Sequence, residues 1–374
     1  MIDATVTAAL VKGFTNLTAG HVIMMLVGAV LIYLAISREY EPVLLLPIGA
    51  GAILANIPAT GMTQGEGLFK ILYDTGIRNE LFPLLIFVGV GAMTDFAPLL
   101  ERPYTVILGA AAQFGIFGTL LMATLLGFNI NEAASIGIIG SADGPTSIYV
   151  ASALAPHLLA PIAVAAYSYM SLVPIIQPPI MRALTTEAER AIVMPYSDSK
   201  PISHRTKVLF PIVVTLVCGL IAPMSAPLIG MLMLGNLLRE AGVVERLSNM
   251  AQNELINIVT LFLGLTIGST MTAESFLTSQ TLLIIGMGLV AFALDTVAGL
   301  SFGKALSIIT HGKVNPLIGA SGISAFPMSA RVVNRVGLEA NSNNFLLMHA
   351  MGSNTAGQIG SVMAGGAVLA LLMR

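Results

Sequence analysis

Asp143 is the only Asp, Glu, Lys or Arg between Glu132 and Arg182. It lies in the sequence GSADGPTS, which spans residues 140–147. A carboxylate at membrane depth costs about 2.5–3.5 kcal/mol on insertion scales, and it therefore indicates a functional site. The Gly and Pro residues beside it interrupt a regular helix. Such a break frees backbone carbonyls, which can bind a cation next to the carboxylate.

A second stretch rich in Gly, Pro and polar residues begins at Asn315 and reaches Arg331. It offers the oxygens of Asn315, Ser321 and Ser324, but Ala325 occupies the place that corresponds to Asp143. Oxygen ligands of this kind suit a hard cation such as Na⁺. The chain has no His or Cys pair at the spacing of zinc ligands. The two stretches together predict an alkali-cation site with one carboxylate.

Three further polar residues are candidates for the site. Asn354 lies in an apolar run, where an amide without a partner is costly, so it indicates a bound group. Tyr169 either packs between helices with its hydroxyl in a hydrogen bond, or faces the cation site. Arg331 lies one helical turn before Arg335. It either extends to the membrane surface or grips an anionic carboxylate with its planar guanidinium.

The composition indicates the fold class that must position these residues. Of 374 residues, 56% are hydrophobic and 10% are charged, whereas soluble domains have about 25% charged residues. Runs without charge recur along the chain, and several exceed the roughly 20 residues that cross a bilayer. We therefore predict an all-α polytopic membrane protein in contact with lipid. The net charge of −2 gives no indication of a nucleic-acid partner, and the single cysteine, Cys218, excludes an internal disulfide.

The two halves of the chain resemble each other in sequence. The segment 136–140 matches 318–322 at an offset of 318 − 136 = 182, and Pro145 and Ser147 then match Pro327 and Ser329 without a gap. Asn56 matches Asn236, and Met93-Thr94 matches Met271-Thr272. These matches follow in order at offsets near 180, which predicts an internal duplication. An odd number of spans per repeat would make the repeats inverted, with the site near the midplane.

The duplication divides the chain into four parts. We predict an interfacial segment at 1–20, a first membrane repeat at 21–181, a loop at 182–207 and a second repeat at 208–374. Five basic residues in the loop favour the cytoplasmic side. Each repeat is expected to contain a first helix, a short helix, a Gly-broken element, a long helix, a second broken element and a last helix. These are expected near 21–37, 43–57, 81–100, 103–127, 132–153 and 158–181, and near 208–222, 225–238, 255–277, 279–297, 315–334 and 344–372.

These motifs resemble those of a known family. The sequence around Asp143, the spacing of Asn315, Gly319, Ser324 and Arg331, and the segment from Asn344 to Asn354 are similar to the β subunits of sodium-pumping, biotin-dependent decarboxylases. The resemblance implies decarboxylation of N-carboxybiotin on a biotin carrier, coupled to outward Na⁺ transport across the inner membrane. It implies functional roles for Asp143, Asn315, Gly319, Ser324, Arg331, Tyr169 and Asn354. It also implies a carboxyltransferase (α) subunit, a biotin carrier and a small membrane anchor as partners.

The resemblance and the residues combine into one hypothesis. Asp143, Asn315, Gly319, Ser324 and Asn354 form the Na⁺ site; Tyr169 or Ser324 supplies a proton; and Arg331 orients the carboxybiotin carboxylate. A homo-oligomer would provide a fixed scaffold. Two alternatives from other classes are a Na⁺-coupled secondary transporter of an organic anion and a structural anchor for a soluble enzyme. The anchor leaves Asp143 and Asn354 without a role.

Overall fold

The computed structural model describes residues 11–195 and 202–373, which form helices and connecting turns without a strand in these ranges. The predicted segment 1–20 and loop 182–207 lie partly outside the described residues. The first half contains α1 Ala19–Ser37, α2 Pro42–Ala55, α3 Leu68–Leu72, α4 Leu81–Met93, α5 Ala97–Glu101, α6 Thr105–Ala112, α7 Phe114–Leu125, α8 Ile130–Gly137, α9 Gly144–Leu154 and α10 Leu159–Leu184. A short helix, α11 Glu187–Arg190, begins the connection to the second half.

The second half follows a similar order of elements, but none of its described helices corresponds to α8. It contains α12 His204–Ile221, α13 Ala226–Glu240, α14 Glu245–Met250, α15 Ile256–Ser269, α16 Ala273–Phe276, α17 Ser279–Ile309, α18 Met328–Ala340 and α19 Leu347–Leu372. One π-helical turn lies in each half, at Tyr73–Ile77 and at Ala251–Leu255, and their offset is 251 − 73 = 178. One long 3₁₀ segment also lies in each half, at Ile138–Ser141 and at Pro316–Gly322.

Several of these helices are long and apolar enough to cross a bilayer. Seven spans are found in the described residues, or eight if the pair Leu68–Ile77 and Leu81–Met93, bent by 63°, counts as one. The spans are Ala19–Ser37, Thr105–Leu125, Pro156–Leu184, His204–Ile221, Glu245–Ser269, Ser279–Ile309 and Leu347–Leu372. Helices satisfy their own backbone groups, which lipid cannot do. The predicted polytopic all-α class is confirmed.

Helix α12 is almost fully exposed, because the rest of the chain covers very little of it. Only 6% of its most apolar window is buried, and Leu220 is 82% exposed. An apolar face of this size is unstable in water and marks contact with lipid or with another subunit.

Some helix breaks lie elsewhere than the sequence indicated. The elements predicted to break at Gly within 81–100 and 255–277 instead end at Met93 and Ser269, and turns at residues 94–96 and 270–272 follow them. In the second of these turns, the Thr272 hydroxyl accepts a hydrogen bond from the Ser275 amide and begins α16. The long helix predicted at 103–127 is interrupted at Gln113, whose side chain donates to the Gly322 carbonyl at 3.2 Å.

The two halves bind each other through equivalent residues. The Asn56 side chain donates to the Met271 carbonyl at 2.8 Å, and the corresponding Asn236 side chain donates to the Thr94 carbonyl at 3.2 Å. Helix α2 packs closely against α15, and α13 packs closely against α4. Glycines on these faces let the backbones approach so closely that a Cβ at the same positions would collide with the facing helix. This reciprocity supports the predicted duplication, while the inverted relation of the repeats stays a prediction.

Candidate functional site

Asp143 lies at the break between a 3₁₀ segment and a helix. Ile138–Ser141 ends at Ala142, which has a left-handed backbone (φ 56°), and Asp143 then caps the N-terminus of α9. A non-glycine residue in this conformation costs about 1–3 kcal/mol and is typical of functional sites. Pro145 fits the first turn of α9 because the amide it lacks has no partner within the helix there. The sequence GSADGPTS thus places a carboxylate at a helix N-terminus, where negative charge is favoured.

Both carboxylate oxygens of Asp143 accept hydrogen bonds inside the protein. The Thr146 amide donates to Oδ1 at 3.0 Å, and the Ser361 hydroxyl donates to Oδ2 at 2.7 Å. Asp143 is 5% exposed. An ionised carboxylate at such depth requires hydrogen bonds and a positive partner, and its remaining lone pairs can bind a cation.

The second interrupted segment meets the first at Ser324. The Ser324 amide donates to the Ser141 carbonyl at 3.0 Å, so the two unwound segments are joined directly. The Ser324 hydroxyl donates to the Gly357 carbonyl at 2.9 Å, and the Gln358 side chain donates to the Ser324 carbonyl. Helix α19 therefore holds Ser324 beside Asp143, and the lone pairs of the Ser324 hydroxyl remain free to bind a cation.

A cavity of about 310 Å³ connects these groups. Its lining is mainly apolar and includes Asp143, Ser324, Tyr167, Gln358 and Glu41. A few convergent polar groups in an otherwise apolar cavity are typical of a binding site. Within the described ranges, no three His, Cys, Asp or Glu side chains cluster as metal ligands. A cation in this cavity would therefore need neutral oxygens in addition to carboxylate.

Three of the predicted cation ligands lie outside the lining of this cavity. The Asn315 amide donates at 2.9 Å to each of the carbonyls of Arg190 and Ile192, and its oxygen accepts from the Leu317 amide at 3.0 Å. Gly319 packs against Gly299. Asn354 donates to the Ile323 carbonyl at 2.5 Å, while its own oxygen is buried and accepts no hydrogen bond from the described residues.

The two other predicted site residues also lie outside the lining of this cavity. The Tyr169 hydroxyl donates to the Ile285 carbonyl at 2.5 Å, and its ring packs near Phe292. Arg331 is exposed on α18, as is Arg335, whose guanidinium donates to the Pro174 carbonyl at 3.1 Å. The structure therefore brings Asp143 and Ser324 together, and the roles of the other five residues stay predictions.

Two residues beyond those singled out as site residues contribute to the site. The Ser361 hydroxyl donates a hydrogen bond to Asp143. Gln358 follows Asn354 by four residues and Ser361 follows Gln358 by three, so all three residues lie on one face of α19. That spacing is a sequence signal that could have identified Ser361. Tyr167 lines the cavity although Tyr169 was expected there.

Comparison with known proteins finds relatives that match nearly the whole chain. The family described as "Na+-transporting oxaloacetate decarboxylase beta subunit" matches residues 20–372. The chain is 56% identical to the glutaconyl-CoA decarboxylase subunit beta of Acidaminococcus fermentans, with 96% of each chain covered. It is 53% identical to the methylmalonyl-CoA decarboxylase subunit beta of Propionigenium modestum and 48% identical to the oxaloacetate decarboxylase beta chain of Klebsiella pneumoniae, with 96% of each chain covered in both cases.

Proposed function

We propose how this chain, which belongs to the family of β subunits of Na⁺-transporting decarboxylases, binds its cation: Asp143 is the principal Na⁺ ligand, and Ser324 joins it from the other half. Members of this family couple decarboxylation to Na⁺ transport, and the chain is a multi-pass protein of the inner membrane. The observation that carries the proposal is the contact between the two unwound segments, which places Ser324 and the buried Asp143 in the lining of one cavity.

The remaining predicted ligands support this site in two ways. The buried oxygen of Asn354 lies beside the turn that carries Ser324 and is available as a ligand if that turn shifts. Asn315 and Gly319 hold the 3₁₀ segment in place, because the Asn315 amide fastens one end of it and Gly319 allows its close approach to α17. We therefore assign Asn315 and Gly319 to positioning in this conformation.

The substrate we propose is N-carboxybiotin on a separate carrier protein. Its decarboxylation breaks the bond between the carboxylate carbon and the ring nitrogen, releases CO₂ and places one consumed proton on that nitrogen. The exposed guanidinium of Arg331 suits a bidentate grip on the carboxylate. Ser324 and Tyr169 are the hydroxyl groups that we propose for the passage of the proton.

Coupling requires that decarboxylation change the side to which the cation site opens. A substrate can shift such an equilibrium only if it interacts differently with the two states. The hydrogen bond between the Ser324 amide and the Ser141 carbonyl makes the two unwound segments the natural moving part. We propose that they move together between the two states.

The β subunits of this family work within complexes of several subunits, which implies an α subunit and a biotin carrier as partners. We further propose a small membrane anchor subunit and a homo-oligomer. The nearly unburied face of α12 is available for either contact.

Reconstitution of the assembled complex into proteoliposomes tests this function. Na⁺ should be transported only when the biotin carrier and its carboxyl donor are present, because decarboxylation is the driving reaction. Transport of Na⁺ with an organic anion in the absence of the carrier would instead indicate a secondary transporter.

Arg331→Lys should raise the carrier concentration needed for half-maximal decarboxylation. The substitution keeps the charge but removes the second donor of a bidentate pair, and the loss of about 1.5 kcal/mol corresponds to roughly tenfold. Steady-state decarboxylation against carrier concentration measures the effect. Arg335→Lys is the matched control one turn away and should leave this concentration unchanged. Equal kinetics of the two variants would remove Arg331 from the site.

A further inference from the structure

Glu41 provides a second carboxylate to the cavity that contains Asp143. It lies directly before α2, with a left-handed backbone (φ 38°), and its side chain is half-buried. The conformation is strained for a residue with a Cβ, so the surrounding structure holds Glu41 in place. Asp143 is the more deeply buried of the two carboxylates.

Tyr167 shares the lining of this cavity with both carboxylates. It is 3% exposed. The ring and hydroxyl pack directly against Gly144. The hydroxyl forms no hydrogen bond within the described part of the chain. A buried hydroxyl without a partner is costly, which indicates that a bound group satisfies it during the cycle.

The charges in this cavity favour a cation. Its lining contains the carboxylates of Glu41 and Asp143 and, among the described residues, no Lys, Arg or His. Charged groups of one sign in a cleft with apolar walls focus the electric field and raise the local concentration of counter-ions. Tyr167, Ser324 and Gln358 add neutral oxygens of the kind that complete the coordination of an alkali cation.

We propose that Glu41, Tyr167 and Asp143 line one path for Na⁺. Glu41 receives the cation at the more accessible end, the Tyr167 hydroxyl oxygen binds it in transit, and Asp143 holds it at the buried end. This inference rests on the proposed function, since it extends the same site. In this proposal Glu41 binds Na⁺ first. Its loss should therefore change the Na⁺ concentration for half-maximal decarboxylation more than the maximal rate.

Glu41→Gln in the complete reconstituted complex tests the path. The Na⁺ concentration for half-maximal decarboxylation should rise about tenfold because the capture charge is lost, while the maximal rate should change little. Glu39→Gln is the matched control, because Glu39 is exposed on the same turn and lies outside the cavity lining. Added choline chloride should narrow the difference between Glu41→Gln and the unmodified complex, because salt screens charges at accessible sites.

Tyr167→Phe provides an independent test, because it removes only the hydroxyl. It should raise the half-maximal Na⁺ concentration about threefold or more, as expected for the loss of one neutral ligand. Equal Na⁺ requirements of Glu41→Gln and Glu39→Gln would overturn the proposal, and so would an unchanged requirement in Tyr167→Phe. If Asp143→Asn meanwhile abolishes the Na⁺ response, the path fails and the proposed function remains. If Asp143→Asn keeps that response, the proposed function itself fails.

Discussion

Asp143→Asn is expected to abolish Na⁺ transport together with the Na⁺-dependent part of decarboxylation. Two opposite unit charges 4 Å apart attract by about 4 kcal/mol at an effective dielectric constant of about 20, so loss of the charge weakens cation binding roughly a thousandfold. Asparagine is as good an N-cap as aspartate, so it can keep the bond from the Thr146 amide. The loss should therefore reflect the charge and not the fold. Na⁺ uptake by proteoliposomes and decarboxylation measured against Na⁺ concentration check both effects.

Asp95→Asn is the matched control for this prediction. Asp95 is also an aspartate before a short helix, and its carboxylate accepts from the Ala97 amide at 2.9 Å. It lies outside the cavity lining. Asp95→Asn should keep the normal Na⁺ response. An Asp143→Asn complex whose decarboxylation is still stimulated by Na⁺ would refute the assignment of Asp143.

Gly319→Ala should destabilise the protein severely. A Cβ at Gly319 would lie 2.0 Å from the Gly299 carbonyl oxygen and 2.7 Å from its carbon. The obstacle is backbone of α17 and cannot rotate aside, so the 3₁₀ segment and the helix must separate. Overpacking typically costs about 1–3 kcal/mol, and a rigid obstacle leads us to expect the upper end of that range. We expect a lower midpoint of thermal unfolding in detergent and a smaller yield of assembled complex.

Gly286→Ala is the control for Gly319→Ala, because Gly286 lies on α17, the helix against which Gly319 packs. Gly286 is exposed on α17, and no atom outside its own helix lies within 4 Å of a Cβ placed there. Alanine favours a helix over glycine by about 1 kcal/mol, so this variant should be as stable as the unmodified protein or more stable. Equal thermal stability of Gly319→Ala and Gly286→Ala would show that the approach of Gly319 to Gly299 does not limit stability.

The sequence predicted those features that depend on local chemistry or on repetition. The Gly and Pro residues around Asp143 predicted the break that the structure has at residues 138–143. The match between the halves predicted a second break at 315–327, and the two segments meet at Ser141 and Ser324. Only the order of repeated motifs was needed for this prediction.

Features that depend on long-range packing could not be predicted in the same way. Tyr167 and Tyr169 lie on an apolar helix, where both neighbouring faces are hydrophobic, so no amphipathic pattern indicates which tyrosine faces the cavity. Ser361 contacts Asp143 across 218 residues of sequence. The Asn315 side chain bonds to carbonyls of the connecting segment, and an irregular segment gives no periodic signal of its position.

The reciprocal bonds of Asn56 and Asn236 bear on the order in which the protein can assemble in the membrane. Each amide is satisfied by a carbonyl from the opposite half, and each glycine-bearing helix has its close neighbour there. A polypeptide with a single half would leave such an amide and such a face without partners. Both halves must therefore be inserted before either interface can close.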